Sequence, residues 1–337
     1  MNRDPAANAA PLRIQLLGWD NGVGLSRDLA LLHEALSAAG HQVTLSKRGR
    51  GNWRKIGRWL RARAWGLKAV LRPGQRHFDL NIMLEHVFAE YLPAAERTAF
   101  IPNPEWCLRK DLVLLARVDT VLVKTRHAQR IFNERGCHTR YIGFTSPDRF
   151  DPAVPRERRF FHLAGRSQNK GTEQLLALWR KHPEWPPLTV VQNKLTATPG
   201  PDAPNITHLV GYLSDDELKT LQNAHAFHLC PSETEGYGHY LVEAMSVGAV
   251  VLTMDGEPMN ELVTRERGVL VPPVRTGTQN LAVTYFFGET EMAAAIEAVL
   301  ALGDADIARY SQAARQWYED NAAAFAPRLN AAVTQAD

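Results

Sequence analysis

No apolar run in the sequence approaches the roughly 20 residues that a bilayer-spanning helix needs. The opening Met-Asn-Arg-Asp-Pro also lacks the apolar core of a secretory signal, so a cytoplasmic protein is expected. Cysteine is scarce. Cys107, Cys137 and Cys230 lie far apart and form no CxxC pair, which fits reduced thiols rather than a disulfide framework. His and Cys nowhere take metal-ligand spacing. Acid is missing from one long stretch: Lys47 to Arg76 holds eleven Lys or Arg and no Asp or Glu, in a chain of net charge only +3. The remainder is therefore net acidic, and the asymmetry says more than the total.

What is present is an alternation of short apolar runs with helical patterns. RIQLLGW (13–19) precedes Asp20-Asn-Gly-Val-Gly24, then an amphipathic pattern through Leu29, Leu32, Leu36 and Ala39 that stops at Gly40. HQVTL (41–45) completes a strand-helix-strand unit. Gly22 and Gly24 stand where such units bind phosphate or sugar, although the third glycine of the dinucleotide fingerprint is absent and close helix-strand packing explains them equally well. Further strands are predicted at 78–84, 98–101, 119–123 and 139–142. A parallel sheet binds ligands beyond the carboxyl ends of its strands. Polar residues fall there: Glu85-His86, Asn103-Pro104-Glu105, Lys124-Thr125-Arg126 and Thr145, read as one wall of a cleft or as helix caps.

The basic stretch has helical period. Trp53, Ile56, Leu60, Ala64, Leu67 and Leu71 share one face, with Arg54, Lys55, Arg58, Arg61, Lys68 and Arg72 on the other and Trp65 among them. Trp53 to Arg72 thus suits either an anionic membrane surface, where indole and guanidinium sit at headgroup level, or a solvated helix covering a sheet. Nucleic acid is the weakest partner, since no recognition motif accompanies the charge.

A second alternating series has strands RFFHLA, LTVVQ, ITHLV, AFHLC, AVVLTM and GVLV, with helices starting near Thr172, Ser214, His239, Pro258 and Thr290. Ser214-Asp-Asp-Glu217 is a capping box. The fold expected is α/β, two Rossmann-like doubly wound domains facing a cleft. The first covers 1–150; a linker at 151–158 lies in the proline-rich run SPDRFDPAVPRER; the second covers 159–303; a helix from Asp304 through Phe325 and a loose tail fill 304–337.

Chemistry concentrates in two junctions of the second domain. In HLAGRSQNKGTEQLL, Gly165, Arg166, Lys170 and Gly171 join a strand end to a helix start, an arrangement that suits a diphosphate or, taken alone, a plain surface loop. In ETEGYGHYLVEAM, Glu235 and Glu243 flank a bend made flexible by Gly236 and Gly238. Tyr240 and Glu243 share a helix face with His239, while Leu241, Met245 and Gly248 pack inward. Carboxylates and amides there fit the hydroxyls of a sugar and a ribose.

GRSQNKG, VGYLSDDEL, ETEGYGHYLVEAMSVGAVV and GVLVPP, in this order, resemble the C-terminal half of retaining GT-B glycosyltransferases of the glycosyl transferases group 1 (family 4) type. The resemblance is strong over about Phe160 to Pro273 and looser in NGVGLSRDL, DTVLVKTRHAQRIF and YIGFTSPDRF. It implies a metal-independent hexosyltransferase with no cofactor, a nucleotide diphosphate sugar as co-substrate, and a saccharide or lipid-linked acceptor. Arg166 and Lys170 match the diphosphate pair. Glu235 matches the first Glu of the E-x7-E motif, on the donor sugar; Glu243 matches the second, on the ribose. Gly236, Tyr237, Gly238 and His239 match the sugar and phosphate loop, and Gly211 and Tyr212 a segment near the nucleobase. Neither Rossmann-like domain, 1–150 or 159–303, carries a DxD-like metal pair. Many members have a His after the strand that here reads TAFI, where this chain has Asn103-Pro104-Glu105; His86, His127 and Glu105 are the remaining candidates for a catalytic group. The expected role is polysaccharide or lipopolysaccharide precursor synthesis, free in the cytoplasm or peripheral on the inner face of the membrane. A nucleotide-sugar-binding protein without transfer and a nucleotide-sugar epimerase are the alternatives.

Overall fold

The computed structural model describes residues 10–20, 22, 24–48, 57, 63–65, 67, 76–198 and 200–335. Its central strands are short apolar runs buried on both faces, as a parallel sheet covered by helices requires. In β1 (Arg13–Trp19) the five residues from Ile14 to Gly18 are all buried. The chain divides into two compact units, residues 1–144 with 322–337, and residues 145–321.

Unit 1 follows β1 with α1 (Gly24–Ala38), β2 (Gln42–Arg48), β3 (Phe78–Leu84), β4 (Ala95–Ile101), α2 (Arg109–Leu114), β5 (Thr120–Val123), α3 (Arg126–Asn133) and β6 (Thr139–Tyr141). The strands form one parallel sheet in the order β2-β1-β3-β4-β5-β6. Leu25, Leu29, Leu32 and Leu36 bury one stripe of α1 at the spacing expected from sequence. The chain moves outward from β1 to β2 and then crosses back to β3, so the strand order reverses between β1 and β3.

Unit 2 contains β7 (Glu157–Gly165), α4 (Thr172–Lys181), β8 (Leu188–Gln192), β9 (Ile206–Val210), α5 (Asp215–Ala224), β10 (His225–Cys230), α6 (His239–Ser246), β11 (Val250–Met254), α7 (Met259–Leu262) and β12 (Gly268–Val271). Its parallel sheet runs β12-β11-β10-β7-β8-β9. The direction reverses between β7 and β10, the position at which doubly wound sheets open a ligand crevice. Two six-stranded parallel sheets with helices make the α/β architecture predicted from the sequence.

Several expectations need correction. An antiparallel hairpin, β13 (Arg275–Gln279) with β14 (Ala282–Phe286), follows β12 where no strand was foreseen. After α8 (Glu289–Leu300), the last helix, α9 (Asp304–Thr334), runs nine residues past Phe325 into the segment expected to be loose. Phe325, Leu329 and Val333 are buried there, and Phe325 meets Phe144 edge-on at 4.9 Å within unit 1, so apolar burial holds the end of the chain.

The stretch 146–158, expected to hold a linker, is bound into unit 2 rather than free. Arg149 is an ion-pair partner of Asp215 at 2.7 Å and donates to Gln222 Oε1 at 2.9 Å; Asp151 N donates to Asn223 Oδ1 at 2.9 Å. Most of Trp53 to Arg72 lies outside the described residues. Trp65, however, does not stand on an outer face: it packs against Phe78, Ala94 and Ala95, with its ring 5.6 Å from that of Tyr91. Leu67, assigned to the inner face, is 62% exposed. Among the described residues no helix is long and apolar enough to cross a membrane.

Candidate functional site

Two loops meet at the reversal point of unit 2. The first leaves β7 at Gly165 (φ 57°) and enters α4 at Gly171 (φ 60°). Glycine is required at Gly171 for space as well as angle, because a Cβ there would lie 2.7 Å from the Phe287 ring. Beneath this loop His162 Nδ1 donates to the Leu229 carbonyl at 2.7 Å, which leaves Nε2 to accept from the Thr172 hydroxyl at 2.9 Å. Burial pushes the imidazole down to about 4, so the neutral ring fixes the first residue of α4.

The second loop leaves β10 at Cys230 and enters α6 through Gly238 (φ 100°). Ser232 donates to Glu235 Oε1 at 2.6 Å and shares a short hydrogen bond with the Tyr240 hydroxyl. Lys170 joins the loops. Its Nζ lies 3.6 Å from Glu235 Oε1 and 3.0 Å from the centre of the Tyr240 ring. Burial lowers the affinity of Lys170 for its proton, and Glu235 and Glu243 oppose that shift. Burial also raises the Tyr240 hydroxyl, which stays protonated. The result is a cation held between carboxylates and a π face, at the end of a helix-bearing loop.

Other predicted donor residues are dispersed around this cluster. Arg166 is exposed on the first loop, with no ion pair among the described residues. Gly236 and Tyr237 are buried, and the Tyr237 hydroxyl accepts from Asn321 at 3.3 Å. Glu243 was expected to present its carboxylate to a ligand; instead it is 2% exposed and accepts from Gln222 Nε2 at 3.0 Å. Gln222 in turn accepts from Arg149, so a buried amide links this carboxylate to a guanidinium. His239 Nδ1 pairs with Ser146 Oγ at 2.7 Å. Gly211 follows β9 directly, and Tyr212 beside it is 91% exposed.

The hairpin unforeseen in the sequence braces both loops. Tyr285 N donates to the Glu233 carbonyl at 2.8 Å, Glu233 N donates to the Asn169 carbonyl at 2.9 Å, and Asn169 Nδ2 donates to Gln279 Oε1 at 2.9 Å. Its signals were present: β-branched and aromatic residues in RTGTQ and AVTYF around Asn280, which adopts φ 52° as turn asparagines do. A cavity of about 500 Å³ opens beside it, lined by Ser167, Gln168, Thr172, Glu233, Arg275 and Phe286. Of the junction read from the sequence as suiting a diphosphate, Gly171 lines it, while Gly165, Arg166 and Lys170 do not. Arg275 stacks 3.6 Å above the Phe286 ring, and burial raises Glu233 against the pull of Arg275.

Gly22, Gly24, His86, Glu105 and His127 belong to unit 1. The Gly22 N–H donates to Ser26 Oγ at 2.7 Å, and Gly24 starts α1. His86 Nδ1 pairs with Asp111 at 2.9 Å, while Glu105 and His127 are buried. Among the described residues no three His, Cys, Asp or Glu side chains cluster as metal ligands would.

Residues 202–300 match the model of the family described as glycosyl transferases group 1. The resemblance to glycosyl transferases group 1 read from the sequence is matched within the second domain, and the expected GT-B fold along the chain. Solved GT-B glycosyltransferases share the fold of the chain. Sucrose-phosphate synthase from Thermosynechococcus elongatus is 16% identical with a TM-score of 0.69, over 95% of this chain and 98% of that one. A glycosyltransferase from Rickettsia africae is 13% identical with a TM-score of 0.69, over 97% and 100%. Anabaena HepE, solved in complex with UDP and glucose, is 15% identical with a TM-score of 0.62, over 96% and 98%. No curated protein matches the chain by sequence.

Proposed function

We propose that the chain is a retaining, metal-independent hexosyltransferase of the family 4 type, taking its sugar from a nucleotide diphosphate donor. The observation that carries this reading is the Lys170–Glu235–Tyr240 cluster at the reversal point of unit 2, with exposed Arg166 on the same loop. In the proposed reaction the bond between the anomeric carbon and the diphosphate oxygen breaks, and its electron pair leaves with the phosphate. The acceptor oxygen bonds to the same face of that carbon, and its proton passes to the departing phosphate oxygen. Lys170 and Arg166 neutralise the charge that grows on the diphosphate, so their contribution is largest in the transition state.

Glu235 then accepts from hydroxyls of the sugar, and the N–H groups of Gly236, Tyr237, Gly238 and His239 line its phosphate side. Glu243 is assigned to the ribose; since it is buried against Gln222, the hydroxyls reach it by displacing that amide. The exposed ring of Tyr212, next to Gly211, offers a face on which a base stacks. Unit 1 takes the acceptor, for which we favour a lipid-linked saccharide or a lipopolysaccharide precursor at the cytoplasmic face of the membrane, because the basic Trp53 to Arg72 segment belongs to that half of the chain.

Thermal-shift titration with UDP, GDP and dTDP, followed by incubation with their sugars and detection of released nucleotide, tests the donor reading. One diphosphate should raise the melting temperature by mass action, and its sugar should be turned over. Absence of both binding and turnover across the panel would remove the proposal.

A further inference from the structure

Unit 1 has its own reversal point, between β1 and β3, and a connected set of polar side chains lies at that end of the sheet. Asp28 on α1 and Lys124 after β5 form a buried ion pair, and Lys124 also donates to Asn103 Oδ1 at 3.0 Å. Glu85 follows β3 directly, and the desolvation that raises its proton affinity is opposed by His86, Lys124 and Asn103. The Glu85 carboxylate then lies 3.8 Å from His86 Nε2. His86 is oriented from its other nitrogen by Asp111, which is fully buried and accepts from the backbone N–H groups of Val87 and Leu108, each at 3.0 Å. Asp111 therefore stays a carboxylate despite burial, and His86 Nδ1 carries a proton toward it.

Two properties set Glu85 apart in this chain of groups. Its partners Asp28, Lys124 and Asp111 are sealed, whereas Glu85 and His86 keep 16% and 14% of their side chains exposed. The Glu85 backbone also lies at φ 63°, fixed there by donation of its N–H to the Ile101 carbonyl at 2.9 Å. That angle suits glycine and disfavours a long side chain, so the position carries a carboxylate against its backbone preference. Desolvation raises its proton affinity, as it would for a carboxyl awaiting a polar partner.

We propose that Glu85, flanked by His86, binds a hydroxyl of the saccharide acceptor at the β1/β3 reversal point of unit 1. A carboxylate and the free Nε2 of an imidazole side by side both accept from neighbouring sugar hydroxyls, and the carboxylate disfavours a phosphate at the same point. The inference rests on the transferase reading, but its test is separate from donor binding.

Binding of methyl glucoside, methyl mannoside and methyl galactoside to the full-length chain is measured by saturation-transfer NMR, with the wild type, Glu85→Gly and Glu85→Gln compared. Nucleotide diphosphate binding by thermal shift serves as a parallel readout. The Glu85→Gly protein should melt at or above the wild-type temperature, because glycine accepts φ 63°. At least one glycoside should bind the wild type, lose about tenfold or more in affinity with Glu85→Gly, and lose less with Glu85→Gln, which keeps one acceptor oxygen. Binding unchanged in Glu85→Gly, or no glycoside bound by the wild type, overturns the assignment. A wild type that binds a glycoside but no nucleotide diphosphate instead refutes the donor reading while leaving the subsite in place.

Discussion

Lowering the pH from 7 to 5 should destabilise unit 2 through two histidines buried without a carboxylate partner. His162 donates to the Leu229 carbonyl and accepts from Thr172; His228 Nε2 donates to the Gln222 carbonyl at 2.9 Å. Burial lowers them to about 4 and about 3. In the unfolded chain both titrate near 6.5. Their folded values lie below the unfolded one, so the unfolded state binds protons first. The stability they allow is complete above about pH 6.5, falls as the pH drops below it, and levels off below the folded values. Between pH 7 and 5 each costs about 2 kcal/mol, or about 4 kcal/mol together. That is a large share of the 5–15 kcal/mol typical of a domain. Urea unfolding followed by tryptophan fluorescence at pH 7, 6 and 5 measures the loss. His228→Gln, which keeps an N–H donor for the Gln222 carbonyl, should remove about half of it. A change below about 1 kcal/mol in the wild type would refute the reasoning. Because the folded His162 stays neutral down to about pH 4, its hold on Thr172 at the start of α4, and with it nucleotide binding by the folded protein, should persist over the same pH interval.

Lys170→Ala should lower kcat by about a hundredfold or more, on the order of 3 kcal/mol of transition-state stabilisation, with a folded protein by circular dichroism; unchanged turnover would take Lys170 out of the reaction. Replacing Arg54, Arg58 and Arg61 by Ser should reduce flotation with anionic vesicles, and the wild-type binding should itself fall steeply with salt. Equal flotation of both proteins would return the basic stretch to a solvated helix.

Periodicity and capping chemistry carried the two sheets, because a run such as LTVVQ is buried in every position and leaves no other packing for a parallel strand. The Ser214 capping box is present with both of its hydrogen bonds, since its geometry is local. The hairpin escaped because its strands are half exposed and its partners, Glu233 and Asn169, are distant in sequence. The same limit applied to the site. The sequence singled out Lys170 and Glu235, which lie 3.6 Å apart, but could not show Ser232 and Tyr240 bonded beside them, or Gln222 covering Glu243. Trp65 shows the converse error: an aromatic assigned by phase to a charged face found apolar neighbours in β3 and β4 instead.

The helix α9 belongs to both units, with residues up to Asn321 in unit 2 and those from Ala322 in unit 1. Within unit 1, Arg97 and Arg140 donate to the carbonyls of Val333 and Ala332, and His41 pairs with Asn330 at 2.9 Å. A gene fusion that exchanges only the first 144 residues with a relative would therefore pair a foreign sheet with this chain's own closing segment. Recombination that keeps the fold intact must carry two separated pieces together, which ties the evolutionary fate of unit 1 to the last sixteen residues.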